Sequence, residues 1–252
     1  MTQAADAHTE MPSLKGKRAI ITGGTTGIGR AIAVLLASEG VNVFICGRDP
    51  DHLADALARI REVGEGDGMT IDLAEPDASK AFVDAGVRAL GGLDIAVVNA
   101  AIAAKGLSEM SEEELRYAIA TDFTAYLLTA HAAATALVDR GDIVLIGSMS
   151  AHVLGPHSTV YAGIKYGIQG FTEALRRELG PKGIRVANVE PGKTGSDMQE
   201  PDISPEEQRE AIGKDEMLRA EDIAVGVHYL LTQPRRAVVQ QLTITPRAEA
   251  AE

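Results

Sequence analysis

The sequence lacks the features that mark several functional classes. It contains one cysteine, Cys46, in 252 residues, which rules out an intrachain disulfide and a multi-cysteine metal site. Cys46 lies in the apolar run VNVFIC and reads as a buried thiol. Positive charge is also short: 24 Lys and Arg stand against 36 Asp and Glu, a formal net charge of -12. That leaves no basic face to grip phosphodiester backbones or anionic lipid, so the expected partners are small molecules rather than nucleic acid or membrane. The apolar runs fall well short of the roughly 20 residues of a membrane helix, and the opening MTQAADAHTEMPS has neither the charged nor the apolar region of a signal peptide. A cytoplasmic protein is the expectation. The histidines show no ligand spacing, so no metal is expected.

Repeats, low-complexity segments and long Pro/Gly/Ser linkers are missing as well, which predicts a single domain over residues 14–246 between flexible ends at 1–13 and 247–252. Within it, the short apolar runs RAIIT, VNVFIC, GMTID, LDIAVV, DIVLIG and IRVANV alternate with longer amphipathic stretches. Strands that are apolar on both sides belong in a parallel sheet covered by helices on both faces. The fold class predicted is therefore α/β: a doubly wound Rossmann fold with a parallel sheet of about seven strands. Residues 192–215, interrupted by Pro201 and Pro205, read as an irregular flap.

Directly after the first strand comes TGGTTGIG, with Gly23, Gly27 and Gly29 leading into a helical run. Glycine permits the tight turn, the approach of backbone amides to a pyrophosphate and close helix–strand packing, and a helix N-terminus binds anion oxygens. Further on, strand GDIVLIG runs into Ser148, and Tyr161 and Lys165 follow four residues apart on one predicted helix face. An ammonium so placed can stabilise a tyrosinate, which would bring the phenol towards neutrality as a general acid and base.

Taken together these motifs resemble the short-chain dehydrogenase/reductase family of the compact, single-domain kind, over about residues 15–246. The resemblance implies a cofactor loop containing Thr25, Thr26, Gly27, Ile28 and Gly29, an acid at the adenine in Asp72 with Leu73 beside it, and a cofactor wall at Asn99, Ala100 and Ala101. It further implies that Pro191, Gly192, Thr194 and Ser196 hold the nicotinamide and diphosphate end, and that Ser148, Tyr161 and Lys165 carry the chemistry, the lysine also reaching the nicotinamide ribose. Three departures from the family pattern stand out. Val98 and Ala101 replace an asparagine and a glycine, Ser196 replaces a threonine, and Asp122 stands where the family's fourth catalytic residue, an asparagine, sits. Asp122 is expected to keep the proton relay and to add a charge interaction with Lys165.

The second strand ends in Gly47-Arg48-Asp49-Pro50. NAD enzymes usually place an acid at this strand end for the ribose 2′-hydroxyl; here glycine stands there and Arg48 can clasp a 2′-phosphate. Asp49 followed by proline reads as a helix cap. NADP(H) is thus the preferred cofactor and NAD(H) the second choice. The C-terminal stretch resembles that of NADP-dependent 3-hydroxy acid dehydrogenases, implying a small alcohol or carbonyl substrate. His152, His157, Met149 and Met198 are candidates for lining its pocket, and for both histidines a purely structural role is the competing reading. A homodimer or homotetramer through the two long helices, 111–138 and 158–180, follows from the same resemblance. A non-catalytic cofactor-binding sensor is the alternative, against which stands the retention of both Tyr161 and Lys165.

Overall fold

The computed structural model describes residues 11–137, 140–196, 198 and 203–248. Seven strands form one sheet: β1 (Arg18–Ile21), β2 (Asn42–Gly47), β3 (Gly66–Thr70), β4 (Ile95–Val98), β5 (Gly141–Ile146), β6 (Ile184–Pro191) and β7 (Gln241–Ile244). All neighbours are parallel, in the order β3-β2-β1-β4-β5-β6-β7. The chain winds outwards from β1 to β3 and then from β4 to β7, so the order reverses between β1 and β4. At such a switch point the connecting loops diverge at the strands' C-terminal ends and leave a crevice.

The two-sided apolar strands divide their side chains between two cores. Ile21 and Ile45 face Ile32 and Leu36 of α1 (Gly27–Ser38), Ile60 of α2 (Pro50–Val63) and Val227 of α8 (Ala220–Leu231). Their sequence neighbours Ile20 and Phe44 face Phe82 of α3 (Ala78–Leu90), with Tyr126 and Ala130 of α5 (Ala125–Ala136) and Ile168 of α6 (Thr159–Leu179). Each fully buried Ile or Phe contributes about 1.5–3 kcal/mol of transfer free energy, so both faces of the sheet are held by similar means. Cys46 is buried in the second core, and burial pushes its thiol up to about 12 against the pull of the Gly23 amide, an inert environment for a thiol.

Several local expectations are met. Asp49 caps α2 by accepting from the amides of Asp51 and His52, with Pro50 at the first helical position. Ser111 and Glu114 form a capping box on α4 (Glu112–Ile119). Two expectations are corrected. The helix predicted over 111–138 is interrupted: α4 passes through a π turn, Ala120–Thr124, before α5 begins. The flap also contains a helix, α7 (Pro205–Gly213), because Ser204 and Glu207 form a second capping box and Pro205 occupies its first position. Residues 197 and 199–202 of the flap lie outside the described residues, as do 1–10 and 249–252 of the two ends.

Candidate active site

The glycine loop is fixed from below by β4. The Asn99 side chain donates to the carbonyls of Thr22 (3.0 Å) and Gly23 (3.2 Å), and the Thr22 hydroxyl accepts from the amides of Asn99 (2.8 Å) and Ala100 (3.1 Å). Space is tight there. A Cβ on Gly29 would lie 2.0 Å from the Gly23 carbonyl oxygen and 2.5 Å from the Asn99 amide nitrogen, and Gly23 itself has φ +62°. At the head of α1, Thr26 provides no side-chain cap and the first turn holds no acidic residue, so its amides are left for an anion. This cradle, which only glycine fits, suits a dinucleotide diphosphate; Thr25 is buried against Gly47 at the end of β2, Thr26 is half-buried ahead of α1, and Ile28 packs against the core.

At the C-terminal ends of β2 and β3, Arg48 and Asp72 come together through Tyr117, which belongs to none of the sequence motifs. The Arg48 guanidinium donates to the Tyr117 hydroxyl at 2.6 Å, and that hydroxyl donates to the Asp72 carboxylate at 2.7 Å. Burial and the Asp72 carboxylate raise the Tyr117 phenol, while Arg48 opposes them. Asp72 also accepts from the Ala74 amide at 2.9 Å, and Leu73 is buried beneath.

The catalytic candidates converge above β4 and β5. Ser148 follows β5, accepts from the Ser150 amide at 3.0 Å and stands close enough to Tyr161 to pull its phenol down. Lys165, one turn along α6, is 2% exposed; its ammonium lies 5.5 Å from the Tyr161 ring centre and donates to the Ile146 carbonyl (3.0 Å) and the Tyr126 hydroxyl (3.3 Å). The π turn swings Asp122 into the same cluster. One carboxylate oxygen accepts from the Ile102 amide at 2.8 Å, while the other is buried with no partner among the described residues. Burial raises the Asp122 carboxyl to about 6 against the opposing pull of Lys165 and the Ile102 amide; burial lowers Lys165 to about 8, with Asp122 opposing. The expectation that Lys165 brings the phenol towards neutrality is not met in this arrangement. Burial and the Asp122 charge push Tyr161 well above its ordinary value, and only Ser148 pulls it down.

The remaining candidates divide. Pro191 ends β6, and Gly192 leads to Thr194, whose hydroxyl donates to the Gly192 carbonyl at 2.9 Å, and to Ser196, which packs beside Gly27. Ala101 is half-buried beyond Ala100, and Met198 is half-buried past Ser196. His152 is held at 2.9 Å by Glu190, a fully buried carboxylate that also accepts from Asn188, Gln241 and Thr243. His157 lies outside this cluster, paired at 3.0 Å with Glu109 on an 87% exposed side chain, which corrects its expected place in the pocket. Tyr117, Tyr126 and Glu190 were missed because none belongs to a motif; each reads in sequence as an ordinary helix or strand residue. Among the described residues no group of three or more His, Cys, Asp or Glu could hold a metal, and no helix is long and apolar enough to cross a membrane.

The pattern described as short chain dehydrogenase matches residues 17–207. The chain belongs to the short-chain dehydrogenase/reductase family. A protein of Streptomyces violaceoruber described as ketoacyl reductase 1 of the granaticin polyketide synthase is 33% identical, over 96% of each chain. A short-chain dehydrogenase from Burkholderia cenocepacia in complex with NADP is 31% identical, with a TM-score of 0.83 over 93% of this chain and 98% of that one. One from Mycobacterium paratuberculosis bound to NAD is 26% identical, with a TM-score of 0.80 over the same shares. This dehydrogenase is accordingly an NAD(P)-dependent oxidoreductase acting on CH–OH groups.

The crowding at Gly29 can be tested directly. Gly29→Ala should weaken NADPH binding by about tenfold or more, read from the fluorescence of the reduced nicotinamide, since relieving a 2.0 Å approach must move the loop off Asn99. Binding equal to that of the parent would show that the loop does not hold the diphosphate.

Proposed function

We propose that this dehydrogenase passes a hydride between NADP(H) and a small alcohol or carbonyl compound, with Tyr161 as the proton donor and acceptor. The observation that carries the reading is the Ser148–Tyr161–Lys165 cluster beside a glycine cradle anchored by Asn99. The bound nicotinamide supplies the hydride. The protein's own part is to hold the substrate oxygen between the hydroxyls of Ser148 and Tyr161 and to move the proton at the Tyr161 oxygen. A phenol held above its ordinary value is a weaker proton donor, so the burial of Tyr161 has to be offset as the proton moves to the carbonyl oxygen. Lys165 supplies the positive charge that offsets the tyrosinate left behind.

The preference for NADP(H) rests on Arg48, which stands at the strand end beside Gly47 with an exposed guanidinium and four N–H donors beyond the one given to Tyr117. For the substrate, a small 3-hydroxy acid or aliphatic alcohol is the reading, and the relative described as a ketoacyl reductase is chemically close to it. His152, oriented by Glu190, stands four residues after Ser148 as the second candidate for substrate contact. The assembly we propose is a homodimer or homotetramer through the outer faces of α5 and α6, where Leu128 and Tyr166 are exposed; light scattering on Tyr166→Glu should show a smaller mass than the parent.

Oxidation of NADPH and NADH against a panel of small ketones and 3-oxo acids tests the assignment. Turnover with a lower KM for NADPH is expected, with a loss of about 10²- to 10⁴-fold in Tyr161→Phe. Cofactor binding without turnover on any member of the panel would favour the sensor, and a strong preference for NADH would overturn the role of Arg48.

Asp122 supplies a pH prediction. Its folded value of about 6 lies above its ordinary 3.8, so the stability it contributes is complete below 3.8 and is lost as pH rises through about 6. Asp122→Asn should therefore flatten the dependence of Tm on pH across that window. If the carboxylate ends the proton relay, the same variant also loses the acid limb of kcat/KM near pH 6; an unchanged profile would show that the carboxylate takes no part.

A further inference from the structure

Lys165 is held by a residue that belongs to none of the motifs. Tyr126, on the first turn of α5, is 1% exposed, and its hydroxyl lies 3.3 Å from the Lys165 ammonium and 3.0 Å from each of the carbonyl oxygens of Asn99 and Ile146. Its ring face sits 4.9 Å from the same ammonium, within cation–π range. A phenol is both donor and acceptor, so this hydroxyl can accept from the charged lysine while donating to one of the two carbonyls. The Ile146 carbonyl, 3.0 Å from the ammonium, only accepts. Two of the three ammonium donors are thus committed inside the fold, by partners that favour the charged amine over the neutral one.

We propose that Tyr126 is a positioning residue for Lys165, which fixes the ammonium between its own hydroxyl and the Ile146 carbonyl and thereby keeps the lysine charged at the pH where the enzyme works. The inference rests on the reading of Tyr161 and Lys165 given above. The other titratable groups around the ammonium are Asp122 from the π turn and Tyr161 on α6 itself; Arg48 acts on Asp122 from further off. Asp122 supports the charge, whereas burial opposes it and lowers Lys165 to about 8. The Tyr126 hydroxyl offsets part of that burial cost. A merely structural role is the competing account, in which the hydroxyl pins the ends of β4 and β5 together through Asn99 and Ile146.

The two accounts separate in Tyr126→Phe, which keeps the ring and removes the hydroxyl. Loss of an acceptor from a charged donor should move the alkaline limb of kcat/KM to lower pH by about one unit. The pH at which NADPH affinity falls, read by the fluorescence of the reduced nicotinamide, should move with it. A lower Tm with both limbs unmoved would overturn the proposal and leave Tyr126 as a staple. Should Tyr126→Phe not fold, 4-fluorophenylalanine at position 126 fills the space of the hydroxyl while scarcely accepting a hydrogen bond; a downward shift supports the proposal and an unmoved limb sinks it. In a parent protein without turnover the reading of Tyr161 fails, while the NADPH-binding arm still decides whether Tyr126 governs Lys165.

Discussion

Burying the ammonium of Lys165 obliges the surrounding fold to supply acceptors for it, and much of the site follows from that demand. A charge out of reach of water is stable only when hydrogen-bonded and paired. The carbonyl at the end of β5 and the hydroxyl of Tyr126 accept from it, and the carboxyl of Asp122 adds an opposing charge from a third element. Because these elements belong to the sheet, to α5 and to the π turn, the position of the lysine reports on the packing of the whole second core. Asp122 bears a matching cost: one of its oxygens is buried without a partner among the described residues, tolerable only beside a cation.

The sheet order determines where this charge can be used. Reversal of the strand order between β1 and β4 opens the crevice into which the glycine loop, Asn99 and Ser148 all project. Asn99 is the joint between the two halves, since it holds the loop carbonyls with its side chain and the Tyr126 hydroxyl with its backbone. A disturbance in the phosphate cradle therefore reaches the lysine cluster through a single residue.

Much of this was legible in the sequence, for reasons that differ from residue to residue. The strands could be read because Ile20 and Ile21, or Phe44 and Ile45, must each satisfy a different core and so leave an unbroken apolar run. The capping of α2 and α4 could be read because Asp49 and Ser111 act on backbone two or three residues away. The π turn could not, since Ala120–Thr124 contains no proline or glycine to mark a break in the helix. Helix α7 was hidden by the prolines around it, one of which begins the helix rather than ending it. The contacts of Tyr117 and Tyr126 span 45 and 20 residues or more, and no local spacing encodes a partner at that distance. His157 misled because its neighbourhood to Ser148 in sequence ends at Gly155 and Pro156, where the chain turns its imidazole out to Glu109.

The π turn also ties two ends of the cleft to one helical register. Tyr117 sits on α4 just before it and Asp122 within it, so the bridge to Arg48 and Asp72 and the carboxyl beside Lys165 ride on a continuous piece of backbone. An α-helix turns about 100° per residue. Deleting one residue from 120–124 would restore regular winding, yet with α5 anchored in the core it would rotate α4 by that angle and carry the Tyr117 hydroxyl off both its partners. Length variation among related sequences should thus be rare between positions 117 and 126 and freer in the loop ahead of α4, a bias imposed by winding geometry rather than by the chemistry of any one side chain.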